Sequence, residues 1–222
     1  MIPILCQNIS CHRPDWNGRS QGVVKNFTGR FEAGTTTAFR EPGGRGVALL
    51  LNILGMIERP DSGSLCVLGQ KVLELETNAA QHLRDQTFGY LFTHPHLLPT
   101  FTVAENIAMP FLRLCGDSSE GARDRVGEVL EFAGLDAGCA SSDIKNLDVE
   151  TQWRVAFARS IVHKPEILVA ISPPASFLLP LARRYSREQG ACVLWNAGSE
   201  HFPVECDRVI EPPMRCAAMQ TE

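Results

Sequence analysis

Residues Glu41-Pro42-Gly43-Gly44-Arg45-Gly46-Val47-Ala48 decide how this chain is read. Before them lies a short run rich in β-branched residues, 35–39, and after them a strongly apolar one, 49–57. Strand, glycine-rich turn and helix form the frame in which G-x-x-x-x-G-K-S/T cradles phosphate with backbone N–H groups. Here Glu41 stands at the first glycine, Val47 at the lysine and Ala48 at the hydroxyl residue. The frame predicts a phosphate loop, and the side chains that would handle the phosphate are missing. Gly44, Arg45 and Gly46 remain as a degenerate anion loop, glycines able to form a nest with one cation beside them.

Outward from the loop, residues 23–31 and 35–39 read as strands, with Gly29 and Gly34 as breaks. The helix after the loop is expected over 47–57, and Pro60-Asp61-Ser62-Gly63 is a turn. Residues 64–72 and 87–92 read as further strands. Thr102 followed by Glu105 gives a capping-box pattern. Helical spacing of apolar residues follows over 121–133 and 150–163. The run 167–171 is apolar throughout, as in a strand covered on both faces. A helix over 178–187 and strands over 191–195 and 208–210 complete the pattern, and 212–222 reads as a loose tail. This alternation predicts an α/β core with a helical insert.

The chain of 222 residues is long enough to bury a substantial core as one domain. A net charge of −4 gives no basic face, so no nucleic-acid partner is expected. No window approaches the ~18 apolar residues of a membrane span. Residues 1–10 lack the basic start and apolar centre of a secretion signal, so a cytosolic compartment is expected. The eight cysteines are scattered without C-x-x-C and read as small core residues. His94 and His96 flank Pro95, a weak metal signal, and no metal site is expected. Asn8-Ile9-Ser10 and Asn26-Phe27-Thr28 match the glycosylation pattern but carry no meaning without secretion.

Further segments add to this pattern: Leu50-Leu51-Asn52-Ile53-Leu54-Gly55 and Arg59-Pro60-Asp61-Ser62-Gly63. Phe88-Gly89-Tyr90-Leu91-Phe92, Leu97-Leu98-Pro99 and Thr102-Val103-Ala104-Glu105-Asn106-Ile107-Ala108-Met109-Pro110 follow. Arg154-Val155-Ala156-Phe157-Ala158-Arg159, Lys164-Pro165-Glu166-Ile167-Leu168 and Asp207-Arg208-Val209-Ile210 continue the series. Together they resemble one family, the ABC transporter ATP-binding subunits, in the branch serving lipoprotein-release and macrolide-export permeases. The resemblance implies a P-loop NTPase-like core with an antiparallel β subdomain and an α-helical subdomain. It implies one domain over 1–222, with core segments 1–89 and 161–222 and a helical part near 90–160.

The departures fall on the reactive positions of that family. Besides Val47 and Ala48, Thr93 stands at the Q-loop glutamine and Leu147-Asp148-Val149-Glu150-Thr151 at the signature L-S-G-G-Q. Ile171 and Ser172 stand at the Walker B acids, and Asn196-Ala197-Gly198 follows Trp195 where the switch histidine belongs. Trp16 is the one candidate for the adenine-stacking aromatic. Charge-assisted hydrogen bonds are worth roughly 1.5–3 kcal/mol each, and micromolar affinity totals only about 8 kcal/mol. Losing the lysine and the metal contacts removes most of that.

The expectation is therefore a catalytically degenerate subunit, with no catalytic residue, no cofactor expected, and ATP with Mg²⁺ only if the degenerate loop still binds. Its partners would be an integral membrane permease and a second ATPase-like subunit, as a homodimer or a heterodimer with a paralogue. Its place would be cytoplasmic, on the inner face of the membrane. Thr93, Leu97, Leu98, Pro99 and Glu105 are the permease-docking candidates; core packing and helix capping explain the same residues equally well. A genuine ATP-binding subunit and a decaying paralogue stay open as alternatives.

Overall fold

The computed structural model describes residues 1–14, 20–40, 45–115, 119–197 and 206–212. β1 (Ile4–Pro14) and β2 (Ser20–Phe31) pair antiparallel. β4 (Ser62–Val67) lies against the other edge of β1, and β5 (Gln70–Lys71) completes a sheet of order β2-β1-β4-β5. The second sheet is parallel, in order β6-β7-β8-β3-β9. Its strands are β3 (Thr36–Phe39), β6 (Phe88–Leu91), β7 (Ile167–Ala170), β8 (Cys192–Asn196) and β9 (Arg208–Ile210). The helices are α1 (Arg45–Leu54), α2 (Thr77–Thr87), α3 (Val103–Cys115), α4 (Ser119–Phe132), α5 (Val149–Ile161) and α6 (Ala175–Gln189). This is the α/β arrangement of a parallel sheet, an antiparallel sheet and helices that the resemblance implies.

Side chains of a strand alternate between its two faces, and β7 shows how this builds the core. Ile167, Val169 and Ile171 enter an apolar cluster with α1 and the inner face of the antiparallel sheet. Leu168 and Ala170 enter a second cluster with α3, α4, α5 and α6. β8 divides in the same way, Cys192 and Leu194 to the first cluster, Val193 and Trp195 to the second. The apolar run of β7 is thus a strand covered on both faces.

Several local expectations are corrected. Residues 64–72 are not one strand but a hairpin, because Leu68 and Gly69 both take positive φ, 48° and 80°, and turn the chain between β4 and β5. β1 and α2 stand where no element was expected. In β1 the buried positions move from Ile4 and Cys6 to Ile9 and Cys11, with irregular pairing between Cys6 and Ile9. That bulge breaks the alternation a reader looks for. In α2 few side chains are buried, so its apolar stripe is faint. α6 begins at Ala175 and passes through Pro180, earlier than expected.

The two glycosylation-like triplets have a structural explanation. Asn8 and Asn26 sit at positive φ, 53° and 48°, at the bulges of β1 and β2. The Asn8 N–H donates to Thr28 Oγ1 at 2.9 Å, and the Asn26 N–H donates to Ser10 Oγ at 2.9 Å. Each hydroxyl residue serves the asparagine on the opposite strand. The cysteines Cys6, Cys11 and Cys192 are buried core residues; burial pushes the Cys6 thiol up to about 11 and Cys192 to about 12.

Candidate functional site

Parallel sheets present their ligand sites beyond the C-terminal strand ends, and there the reactive positions gather. Gly43, Gly44 and the Arg45 side chain lie outside the described residues, as does Trp16; Arg45 opens α1. Gly46 and Val47 are buried in the first turn of α1. Val47 is 0% exposed and joins the first apolar cluster, with Ala48 half-buried against it. Ile171, just past β7, belongs to the same cluster and anchors its N–H on Leu91 O at 2.7 Å. Ser172 follows, exposed, at φ 57°. Its Oγ accepts from Asn196 Nδ2 at 2.9 Å, so the ends of β7 and β8 are tied by a neutral hydrogen bond.

The start of α5 is closed by its own residue. Asp148 caps it: Oδ1 accepts the Thr151 N–H at 2.9 Å and Oδ2 accepts the Thr151 hydroxyl at 2.7 Å. Those bonds hold the Asp148 carboxyl below the usual carboxylate range. Val149 beside it is 70% exposed, and Glu150 pairs with Arg154 one turn on.

Mg²⁺ with a triphosphate does not fit these residues. Val47 and Ile171 put methyl groups in an apolar cluster where a cation and a metal-binding carboxylate are needed. Ser172 is engaged by Asn196, and the amides at the start of α5 face an internal carboxylate. Among the described residues no group of His, Cys, Asp or Glu could hold a metal ion. His94 and His96 are exposed, with ring centroids 5.9 Å apart.

The docking candidates occupy the segment between β6 and α3. Thr93 and Pro99 are exposed, Leu98 is 40% exposed, and Leu97 is half-buried against the second apolar cluster. Glu105 forms the capping box: its Oε2 accepts the Thr102 N–H at 2.7 Å, and its N–H donates to Thr102 Oγ1 at 3.3 Å. The Thr102 bonds hold its carboxyl below the usual range. Glu105 also borders a groove of about 950 Å³ between α3 and α4, floored by small and apolar side chains such as Ala104, Ala108, Met109, Leu112 and Val126.

Two residues that sequence reasoning gave no role hold this segment. Asn106, fully buried, accepts the Leu98 N–H and donates to the carbonyls of Leu98, Phe101 and Thr102. Arg159 of α5 donates to the carbonyls of Pro95 and His96. A polar residue on the apolar side of α3 was the only available signal for Asn106; Arg159 gives none, being more than sixty positions from its acceptors.

A parallel sheet with α1 following β3, an antiparallel sheet and helices inserted after β6 define a nucleotide-binding cassette scaffold. The ABC transporter family profile matches residues 24–172. The chain belongs to that family. It is 30% identical over 186 residues to the lipoprotein-releasing system ATP-binding protein LolD 1 of Rhodopseudomonas palustris, covering 81% of this chain and 82% of that protein. It is 32% identical to LolD of Hyphomonas neptunium, covering 85% of each. Among solved structures, the dimeric structure of a bacterial ABC transporter cassette aligns with a TM-score of 0.77 at 24% identity, over 89% of this chain and 88% of that one. That of cbiO1 from Clostridium perfringens aligns with a TM-score of 0.79 at 18% identity, over 96% and 85%.

Proposed function

We propose that this chain is a cassette subunit that docks on an integral membrane permease without hydrolysing ATP efficiently. The observation that carries this is the apolar character of the strand ends: Val47 and Ile171 buried in one apolar cluster, with Ser172 held by Asn196. Partner, place and assembly follow from family membership. The relatives are named as the ATP-binding proteins of lipoprotein-releasing systems, which supports a membrane permease as partner and a place on the cytoplasmic face of the inner membrane. The dimeric fold relative supports pairing with a second copy or with a paralogue. Among the described residues no helix is long and apolar enough to cross a membrane.

The chain divides, on this reading, into core segments 1–89 and 161–222 and a helical part near 90–160 that carries the docking face. Thr93, Leu97, Leu98, Pro99 and the groove beside Glu105 receive the permease. The groove supports this with a lining that is mostly apolar, suited to receiving apolar side chains.

A genuine ATP-binding subunit is the second reading. The relatives, as ATP-binding proteins, favour it more directly than they favour degeneracy, whereas the residues at the strand ends favour degeneracy. Steady-state ATP hydrolysis by the purified chain separates the two. Degeneracy predicts a rate indistinguishable from a Gly46→Asp control; turnover well above that control selects the second reading.

A further inference from the structure

We infer that Arg159 is a positioning residue of the docking segment, acting with Asn106 to hold residues 93–101 in one shape from its seat on α5. The inference rests on the docking reading only for its consequence, not for its geometry. That segment is irregular, outside any strand or helix. Its backbone takes an unfavourable turn at His96, φ 46°, a left-handed conformation that a residue with a Cβ adopts reluctantly. Something must hold it there, and Arg159 does. Nη1 donates to His96 O and Nη2 to Pro95 O, each at 2.7 Å. The two acceptors are consecutive carbonyls, so the planar fork of a guanidinium fits them and a lysine ammonium does not.

Arg159 is half-buried, and that burial lowers its proton affinity; among the described residues no carboxylate pairs with it. A cation drawn partly out of water without an acidic partner needs hydrogen-bond acceptors in its place. Its charge goes into two charge-assisted bonds to the loop. Farther along, Asn106 fixes Leu98, Phe101 and Thr102 from α3. Between them the two side chains present Leu98 and Phe101, 40% and 39% exposed, on a prearranged surface. Prearrangement lowers the ordering cost when a partner arrives. It also makes α5 the element that feels a displacement of the loop.

Amide hydrogen exchange on Arg159→Lys tests this without any partner. The Leu98 N–H is bonded to Asn106 Oδ1 and the Phe101 N–H to Leu98 O, so both report on the loop. The Ala133 N–H, bonded to Val129 O at the end of α4, serves as control. Losing one charge-assisted bond predicts exchange about tenfold faster at Leu98 and Phe101, with Ala133 unchanged. Equal acceleration at all three, or none, overturns the inference and assigns Arg159 a general structural role. Should the variant not fold, the unaltered protein decides by nitrogen-15 NMR of the guanidinium. Two resolved Nη resonances are expected, one for each carbonyl, and a single averaged resonance overturns the inference. Neither result depends on whether a permease binds, so loss of the docking reading would leave both intact.

Discussion

Placing a lysine at position 47 puts the apolar character of the strand ends to a direct test. In the phosphate-loop frame Val47→Lys restores the family's cation; in this structure it drives an ammonium group into a closed apolar cluster. Three effects add. Val47 is fully buried, and removing such a side chain from its cluster forfeits about 1.5–3 kcal/mol. Desolvating the ammonium in that cluster costs several kcal/mol more. The site is also in the first turn of α1, where the helix dipole opposes a cation by roughly 0.3–1 kcal/mol. Even if the lysine stem recovers part of the lost contact, the sum stays near ~4 kcal/mol, a large share of a typical domain stability of about 5–15 kcal/mol. With a urea slope of about 3 kcal/mol per molar, near the upper end of the usual range, the unfolding midpoint should fall by more than ~1 M. Urea denaturation with and without Mg-ATP reads this. A Val47→Lys protein as stable as the parent would refute the reasoning. So would an upward shift on adding nucleotide, since a ligand at a hundred times its Kd stabilises by about 2.7 kcal/mol.

Two further outcomes follow from the packing. Gly89→Ala would set a Cβ 2.2 Å from Ser160 O and 3.0 Å from Pro165 Cγ, forcing β6 away from α5; a loss of about 1–3 kcal/mol is expected, and an unchanged urea midpoint would show that the strand yields freely. His163 is held toward its neutral form, chiefly by burial, opposed by its bond to Phe88 O and reinforced by Arg113 and Arg125. Its folded pKa lies below the ordinary value near 6.5, so the unfolded chain binds the extra proton first and stability falls as pH drops below about 6.5. Flattening of that slope in His163→Gln, followed by thermal unfolding between pH 5 and 7, checks the assignment; a slope that persists places the titration elsewhere.

The fold was legible wherever a pattern is local. β7 announced itself because five consecutive apolar residues leave no exposed face, and the Thr102–Glu105 box marked the start of α3 because both partners lie within one turn. β1 escaped because a bulge shifts its alternation midway, and α2 because it rests lightly on the core. The hairpin at Leu68 and Gly69 was hidden because leucine is an unusual residue at positive φ. At the candidate site the positions could be ordered along the chain. Their surroundings could not, because the Ser172–Asn196 bond, the sharing of one apolar cluster by Val47 and Ile171 and the reach of Arg159 to Pro95 all join residues far apart in sequence.

Calorimetric titration of Mg-ATP into the unaltered 222-residue chain bears most directly on the proposed loss of nucleotide binding. On the proposed reading no saturable heat is expected up to millimolar nucleotide, because Val47, Ala48, Ile171 and Ser172 would stand where the family places its cation, metal-binding hydroxyl and acids. A saturable isotherm with micromolar Kd that vanishes when Mg²⁺ is withheld would contradict this and restore the chain to the nucleotide-binding members of its family.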